Sequence, residues 1–221
     1  MLVWDGCVNV RDLGGLPLRA GGETQFGVVV RADSLAGLTD AGWQALADYG
    51  VTRAVDLRAD HEVGDQKPLL AVTRVPIAPT GVAWEWPSML EAYLALLEEW
   101  RPRFAQAVDA IAAAPPPIVV HCAGGRDRTG LVTALVLDAA GVVRAAIAAD
   151  HARSDESWAP HNPTWFDEAT DPAERARRRR IAEPAGETMV AVLEEVDRRY
   201  GGAAAFLGTD SLDRIVLRLR G

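Results

Sequence analysis

The sequence has little cysteine, almost no lysine and no long apolar run. Cys7 and Cys122 are its two cysteines in 221 residues, too few for a disulfide framework and typical of a reducing compartment. No apolar run approaches the ~18 residues of a membrane-spanning helix, so we expect no stable membrane insertion. The N-terminal residues lack a basic region followed by an apolar segment, and we therefore expect a cytoplasmic protein. Secretion by a route that needs no signal peptide stays an alternative.

The formal net charge is −8, and Lys67 is the single lysine among 23 basic residues. An acidic chain of this kind is a poor general nucleic-acid binder, so we expect no nucleic-acid partner. An enzyme that acts on phosphorylated substrates would need a local positive pocket within this acidic surface.

Along the sequence, segments with the residue pattern of β-strands alternate with segments that have the pattern of α-helices. Since 49% of the residues are hydrophobic, we expect one domain over residues 1–221 with a sizeable core. The alternation predicts an α/β fold with a mainly parallel central sheet flanked by helices. The strand runs are VVVRAD, which with GLPLRA forms a pair around Gly21 and Gly22, then VTRAVDLR, VTRVPIA and IVVHC. Residues 155–184 hold four prolines and the run RARRRR, and predict a loop followed by a basic helix.

The stretch HCAGGRDRTG, residues 121–130, joins a buried strand to a helix. A strand that turns tightly into a helix points several backbone N–H groups at one spot, and the helix N-terminus adds partial positive charge. Gly124 and Gly125 allow the unusual backbone angles of such a cradle. Arg128 presents a planar fork that matches two phosphate oxygens. The spacing C-x5-R therefore predicts a site for a phosphate dianion.

Such a loop also explains the cysteine, because an electropositive helix start favours the thiolate form of Cys122. We expect Thr129 to donate a hydrogen bond to that sulfur and His121 to help fix the loop. The implied chemistry is attack on a phosphate ester, a cysteinyl-phosphate intermediate and hydrolysis, with no metal or other cofactor. Two alternatives are an inert buried cysteine and a sulfur-transfer loop, but neither calls for Arg-Thr-Gly leading into a helix.

HCAGGRDRTG resembles the signature of cysteine-dependent protein-tyrosine phosphatases, and most of all the loop HC-x-x-G-K-D-R-T-G of the bacterial tyrosine phosphatase B group. NVRDLGG, VRADSLAGLTDAGWQAL and GVTRAVDLRADHE are also similar to that group. The resemblance covers residues 5–65 and 117–155 and implies a protein-tyrosine-phosphatase-like fold. It implies Cys122 as nucleophile, Arg128 as phosphate ligand, and a cradle of backbone N–H groups from Ala123, Gly124, Gly125, Arg126, Asp127 and Arg128.

The sequence departs from the family at two points. Arg126 replaces a lysine that is associated with phosphoinositide binding, so lipid activity is less expected. Classical tyrosine phosphatases carry the general acid on a Trp-Pro-Asp loop ahead of the cysteine, whereas this chain has Trp86-Pro87-Ser88, and serine has no readily donated proton. Asp127 is the first candidate for that role and Asp56 the second. In the structural alternatives, Asp127 only orients Arg126 or Arg128, and Asp56 only pairs with Arg11 or Arg58. Glu85 and Glu91 are the weakest candidates for the general acid.

Other polar clusters carry weaker hypotheses. Arg11 and Asp12 are interpreted as an ion pair that braces the loop. Asp150, His151 and His161 lack a tight metal-ligand pattern, so we expect no metal site. Arg175 and Arg177 to Arg180 suit either a solvated helix face or phosphoinositide head groups. Residues 155–184 are a candidate lid anchored by Trp158 and Trp165.

We therefore predict a metal-independent phosphomonoester hydrolase that acts mainly on phosphotyrosine proteins or peptides, with dual specificity as an extension. A phosphoinositide or small phosphorylated molecule is the alternative substrate, and a phosphate-binding module without turnover is the alternative class. The sequence does not indicate the oligomeric state.

Overall fold

A five-stranded sheet forms the centre of the protein in the computed structural model, which describes residues 2–64, 68–77 and 87–221. The spatial order of its strands is β1-β2-β5-β3-β4. Strand β1 is antiparallel to β2, and the other neighbours are parallel. The predicted α/β fold with a mainly parallel sheet is confirmed. The strands are β1 (Arg11–Asp12), β2 (Val29–Ala32), β3 (Arg53–Asp56), β4 (Ala71–Arg74) and β5 (Ile118–His121).

Strand β5 lies at the middle of the sheet because its four residues, IVVH, are all buried. Its register aligns His121 with Ala32 of β2 on one side and with Asp56 of β3 on the other. The three central strands thus end at one edge, and the chain that leaves each of them meets there. In open parallel sheets this edge is where ligands bind.

Helices cover both faces of the sheet. Those described are α1 (Asp40–Asp48), α2 (Met89–Ala113), α3 (Asp127–Ala139), α4 (Arg144–Trp158), α5 (Asn162–Asp167), α6 (Pro172–Ile181), α7 (Thr188–Tyr200), α8 (Ala203–Leu207) and α9 (Leu212–Arg220). Thr39 caps α1 as expected, since its side chain accepts from the Gly42 N–H. Pro102 accompanies a kink in α2 at Trp100, where the backbone leaves helical geometry.

Alternate residues of the strands belong to two different core clusters. Val120 of β5 packs with α2, α3 and α7 to α9, whereas Val119 packs with Trp4 and with Leu46 of α1. This period of two is what a strand buried on both faces requires. Among the residues that the structure describes, no helix is both long enough and apolar enough to span a bilayer.

Three elements differ from the sequence-based expectation. The pair around Gly21 and Gly22 is reduced to one isolated bridge between Pro17 and Glu23. Helix α3 begins at Asp127, before the expected Thr129, which places the Asp127 carboxyl in the first helical turn. The loop expected ahead of the basic helix α6 contains the short helix α5.

Candidate active site

Cys122 is the first residue after β5, and its side chain is buried. Four residues separate it from Asp127, which opens α3. Because apolar neighbours bury both β5 and α3, the loop between them has little freedom to move. The sulfur therefore sits between the carboxyl end of a central strand and the N-terminus of a helix, where an anion is stabilised.

Side chains outside the loop hold its carbonyl oxygens. The Gly124 oxygen accepts from Asn9 Nδ2 at 2.9 Å and from Trp158 Nε1 at 2.8 Å. The Gly125 oxygen accepts from Arg31 at 2.8 Å. Each of these donors lies far away in sequence, so the loop shape depends on the whole fold.

Those carbonyl contacts also fix the direction of the loop N–H groups. The C=O and N–H of a trans peptide unit point in opposite directions. The Ala123 oxygen accepts from the backbone N–H of Ser34 at 2.9 Å. Together with the Gly124 and Gly125 oxygens, this gives three consecutive carbonyl groups that are bound by groups outside the loop. The N–H groups of Gly124, Gly125 and Arg126 therefore point away from the groups that bind these carbonyl oxygens, as the N–H groups of an anion-binding loop would.

The two loop glycines differ in what they permit. Gly125 has φ +65°, and a Cβ there would lie 2.4 Å from the Ala32 oxygen, so both conformation and space require glycine. Gly124 has no positive φ, and a Cβ would meet Trp158 at an ordinary 3.7 Å. The expectation that both glycines supply unusual angles is thus wrong for Gly124.

Arg128 is held by a carboxylate that the sequence did not single out. Its two terminal nitrogens donate to Glu62 at 2.5 and 2.7 Å, and one also contacts the Ile77 oxygen at 3.3 Å. Burial alone would raise the pKa of Glu62, but the hydrogen bonds and charge of Arg128 outweigh it and lower that pKa. Glu62 is therefore ionised at neutral pH. Its contacts with the two terminal nitrogens of Arg128 fix the plane of the guanidinium group.

A buried ionic network supports the loop from the sheet side. Asp150 of α4 accepts from Arg11 at 2.7 Å and from Arg31 at 2.7 Å. Ser154 contacts both arginines, at 3.0 and 3.4 Å. Arg11 also donates to Asn9 at 2.5 Å and so reaches the Gly124 oxygen through Asn9, whereas Arg31 donates to the Gly125 oxygen directly.

The sequence-based pairing of Arg11 with Asp12 is not found. Asp12 instead accepts from the backbone of Gly14 and Gly27 and from the Tyr49 hydroxyl. Arg11 braces the loop, but through Asp150.

Asp127, the first candidate for the general acid, lines the cavity above the loop. Its Oδ1 accepts from the Tyr93 hydroxyl at 2.5 Å. One carboxyl oxygen is thereby anchored to a buried side chain.

Asp56, the second candidate, faces Arg58. Arg58 donates from Nε at 3.0 Å, from a terminal nitrogen at 2.8 Å and from its backbone N–H at 2.9 Å. Burial opposes ionisation of Asp56, but Arg58 and His121 outweigh it and lower the pKa. Asp56 is buried and is not among the cavity-lining residues, so the structure favours the pairing alternative that the sequence left open.

The two supporting residues make fewer contacts than expected. His121 Nδ1 lies 3.3 Å from the Cys122 oxygen, and Nε2 lies 3.9 Å from Asp56. Burial is the main reason that the pKa of His121 lies below its ordinary value. Thr129 Oγ1 is buried and has no hydrogen-bond partner within the described residues, so the expected donation to the sulfur is not formed.

Arg126 connects the loop to the C-terminal helices. Its Nε lies 2.6 Å from Asp155 of α4, and its terminal nitrogens donate to the carbonyl oxygens of Ile181 and Glu183. A cation suits the carbonyl-rich end of α6. Arg126 thus pairs with one carboxylate and donates hydrogen bonds to two carbonyl oxygens.

A cavity of about 730 Å³ lies above the loop. Its floor includes Ala123, Gly124 and Arg128, and one wall includes Glu62. Its opposite side consists of residues from α4 to α6, which we call the roof: Asp155, Trp158, His161, Asn162, Thr164, Trp165, Glu168, Arg177, Ile181 and Ala182. An aromatic-lined space of this size can hold an aryl group.

The remaining sequence-based candidates lie elsewhere. Trp86 and Glu85 fall outside the described residues. Ser88 caps α2, accepting from the Glu91 N–H at 3.2 Å and donating to its carboxylate at 2.9 Å. Of the weak metal cluster, Asp150 is engaged by two arginines, whereas His151 contacts Tyr93.

Several site residues escaped the sequence analysis. Asn9, Arg31, Glu62 and Tyr93 reach the loop or its side chains from distant segments. Arg31 alone left a sequence signal, because an arginine inside a buried strand requires a buried partner.

A mainly parallel sheet with a cysteine at the end of its central strand and a buttressed arginine in the following helix is the arrangement expected of a cysteine-based phosphatase. A tyrosine phosphatase family profile matches residues 2–219. The chain belongs to the tyrosine phosphatase family and is accordingly a protein-tyrosine phosphatase.

Individual relatives agree with that membership. A tyrosine-protein phosphatase of Nostoc commune is 32% identical over 202 residues, which cover 80% of this chain and 67% of that protein. The triple specificity protein phosphatase PtpB of Mycobacterium tuberculosis is 29% identical over 175 residues, which cover 59% of this chain and 62% of the relative. The chain therefore spans about two thirds of the length of these relatives.

Proposed function

We propose that the chain hydrolyses phosphomonoesters without a metal, through a cysteinyl-phosphate intermediate on Cys122, with phosphotyrosine in proteins or peptides as its main substrate. The observation that carries this proposal is the loop itself. The carbonyl oxygens of Ala123, Gly124 and Gly125 accept hydrogen bonds from groups outside the loop, which supports an arrangement in which the loop N–H groups turn toward Cys122 and Arg128. The family profile over residues 2–219 supports one phosphatase domain.

In the first step the Cys122 thiolate attacks phosphorus and the bond to the ester oxygen breaks. The leaving oxygen takes a proton from Asp127, and the loop N–H groups and Arg128 stabilise the charge on the equatorial oxygens. In the second step water attacks phosphorus, Asp127 accepts a proton from that water, and the phosphorus–sulfur bond breaks. Inorganic phosphate leaves and the thiolate is restored.

The residues of the roof favour phosphotyrosine over smaller phosphate esters as the substrate. Trp158 and Trp165 line the cavity, and their rings offer apolar faces to a phenyl group. We propose that residues 155–184 act as a lid over the bound ester, because the roof consists of side chains from this segment. Phosphoserine and phosphothreonine reach less of this aromatic surface and are secondary substrates.

A phosphoinositide is the second candidate substrate. Another cavity, of about 410 Å³, is lined by three arginines of α6, namely Arg175, Arg179 and Arg180. Arginines near a surface attract anionic head groups. Against this, Arg175 already donates to the oxygens of Phe166 and Ala169, so fewer donors are left than the sequence suggests.

The decisive test is hydrolysis of a chromogenic aryl phosphate in the presence of a chelator. We expect turnover by the unmodified protein and none by Cys122→Ser, with the Cys7→Ser variant as the matched control. Absence of turnover with preserved phosphate binding would instead make the protein a binding module. A panel of phosphotyrosine peptides, phosphoserine peptides and phosphoinositides then ranks the substrates.

A further inference from the structure

Tyr93 of α2 holds the carboxyl group of Asp127. Its hydroxyl donates to Oδ1 at 2.5 Å, a short distance typical of hydrogen bonds to carboxylates. Tyr93 is 1% exposed, so water does not compete for this contact. Burial, followed by the charge of Asp127, raises the pKa of Tyr93 well above its ordinary value, and the phenol keeps its proton.

His151 of α4 contacts the same hydroxyl. Its Nε2 lies 3.2 Å from the Tyr93 oxygen, and the two rings meet edge to face with centroids 5.9 Å apart. Burial is the largest cause that lowers the pKa of His151, and the charges of Arg31 and Arg126 add to it. The imidazole is therefore neutral at neutral pH, with a proton on one nitrogen.

The surroundings of the ring select which nitrogen is protonated. His151 Nδ1 is buried and has no hydrogen-bond partner among the described residues. A proton on Nε2 has a partner, because the Tyr93 oxygen can accept it while the phenol donates to Asp127. The three side chains thus form one directed chain from imidazole to phenol to carboxyl.

Gly130, the glycine of the Arg-Thr-Gly motif, makes room for this chain. A Cβ at that position would lie 2.5 Å from Nδ1 and 2.6 Å from Cε1 of His151. Any side chain there would push the ring away from Tyr93.

We propose that Tyr93 is a positioning residue for Asp127 and that His151 sets the direction of its hydroxyl. The inference rests on the proposed role of Asp127 in proton transfer. Asp127 must donate a proton in one step and accept one in the next, so both of its forms need the same position. A phenol meets this need, since its hydroxyl can donate to Oδ1 both when the carboxyl group is ionised and when the other carboxyl oxygen carries the proton.

Other charged groups surround the hydrogen-bonded side chains of Tyr93 and His151 and influence the pKa values of both. The groups that face Tyr93 and His151 from the catalytic loop, β1, β2 and α4 are Arg126, Asp155, Arg31, Asp150 and Arg11. They are unchanged in a Tyr93→Phe variant, which removes one hydroxyl and retains the ring.

The test compares Tyr93→Phe with the unmodified protein on an aryl and an alkyl phosphate. We expect kcat to fall about tenfold on the alkyl ester and less than about threefold on the aryl ester, since only the poor leaving group needs a well-placed acid. Loss of the donor disfavours the carboxylate, so the alkaline limb of the kcat–pH profile should move to higher pH. A purely structural role would lower both activities equally and leave that limb in place.

Three variants make the comparison specific. Tyr49→Phe is the matched control, because Tyr49 donates to Asp12 at 2.7 Å away from the catalytic loop, and it should leave the profile unchanged. His151→Gln keeps a side-chain N–H donor and should retain more alkyl-ester activity than His151→Leu. That pair also decides the matter should Tyr93→Phe not fold.

The outcomes separate the two proposals. An unchanged aryl-to-alkyl ratio and profile in Tyr93→Phe, with both altered in Asp127→Asn, would overturn the role of Tyr93 alone. Unchanged ratios in Asp127→Asn, while Cys122→Ser is inactive, would remove Asp127 from proton transfer and this inference with it. No metal-free turnover by the unmodified protein would overturn the proposed function itself.

Discussion

Glu62 accepts a hydrogen bond from each terminal nitrogen of Arg128, at 2.5 and 2.7 Å. The contact is bidentate, so it fixes the guanidinium plane as well as its position. Glu62 lies in the short turn Asp60–Glu62 beyond β3, and its carboxylate also accepts from the Ala59 N–H at 2.7 Å. Arg128, the proposed phosphate ligand, is therefore oriented before any substrate arrives.

Glu62→Gln should lower kcat/KM at least about tenfold, because Arg128 loses a charged bidentate partner and its orientation. Steady-state kinetics on an aryl phosphate measure this, and weaker inhibition by inorganic phosphate should accompany it. Glu195→Gln is the matched control, since Glu195 binds Arg198 at 2.6 Å on α7, outside the cavity-lining set. Equal kinetics for Glu62→Gln and the unmodified protein would contradict this role.

The two loop glycines give a second prediction. Gly125→Ala should abolish detectable activity, because its Cβ would lie 2.4 Å from the Ala32 oxygen at a φ of +65°. Gly124→Ala, the matched substitution, should keep activity within about threefold, since its Cβ meets Trp158 at 3.7 Å. Phosphate binding and turnover of both folded variants provide the comparison. Similar losses in the two would mean that loop flexibility, and not the position of one peptide, matters.

Local pattern was sufficient for the catalytic loop and its flanking elements. A buried strand, two glycines and a helix start are consecutive in the sequence, so Cys122 and Arg128 could be placed before any tertiary contact was known. The loop partners could not, because Glu62 is 66 residues from Arg128 and Tyr93 is 34 residues from Asp127. Spacing along the chain carries no information about such pairs.

The general-acid candidates illustrate the same limit. Asp56 ends a central strand, as a residue at the ligand edge should, but Arg58 donates to both of its carboxyl oxygens. Thr129 has suitable spacing for a bond to Cys122, but its rotamer leaves Oγ1 without a partner within the described part of the chain. Position at an edge is predictable from pattern, whereas side-chain direction depends on packing.

The buried carboxylate of Asp150 should matter for stability and activity together. Asp150→Asn leaves Arg11 and Arg31 without their anion, which should lower the free energy of unfolding by about 3 kcal/mol or more. Since these arginines reach Asn9 and the Gly125 oxygen, kcat of the folded fraction should fall as well. Urea unfolding and kinetics at matched folded concentration measure the two effects.

Asp138→Asn is the matched control for that experiment. Asp138 also joins two arginines, Arg19 at 3.2 Å and Arg144 at 2.9 Å, but at the far end of α3. Asp138→Asn should lower the free energy of unfolding with little change in kcat. Equal kcat losses in the two variants would refute a specific link from Asp150 to the loop.

The same network predicts a pH dependence of stability. Burial alone would raise the pKa of Asp150, but the charges of Arg31 and Arg11 outweigh it and lower that pKa. A depressed folded-state pKa contributes stability above the unfolded value of about 3.9, and this contribution is lost as pH falls through the folded pKa. The difference in unfolding free energy between the unmodified protein and Asp150→Asn should therefore be largest at neutral pH and shrink below about pH 4.

Arg126 should control how readily the roof admits a bulky head group. Its guanidinium forms an ion pair with Asp155 and donates to the carbonyl oxygens of Ile181 and Glu183, which a single lysine ammonium cannot do with the same geometry. Each lost charge-assisted hydrogen bond weakens the contact by about 1.5–3 kcal/mol. Arg126→Lys should therefore loosen α6 and raise the rate on phosphoinositides relative to phosphotyrosine peptides severalfold.

Arg144→Lys is the control for Arg126→Lys, because Arg144 pairs with Asp138 and Asp197 and is not among the cavity-lining residues. It should leave the substrate ratio unchanged. Tryptophan fluorescence adds an independent readout, since Trp158 and Trp165 line the cavity and should become more accessible to a quencher in Arg126→Lys alone. A looser roof with an unchanged ratio would mean that the loop, not the roof, selects the substrate.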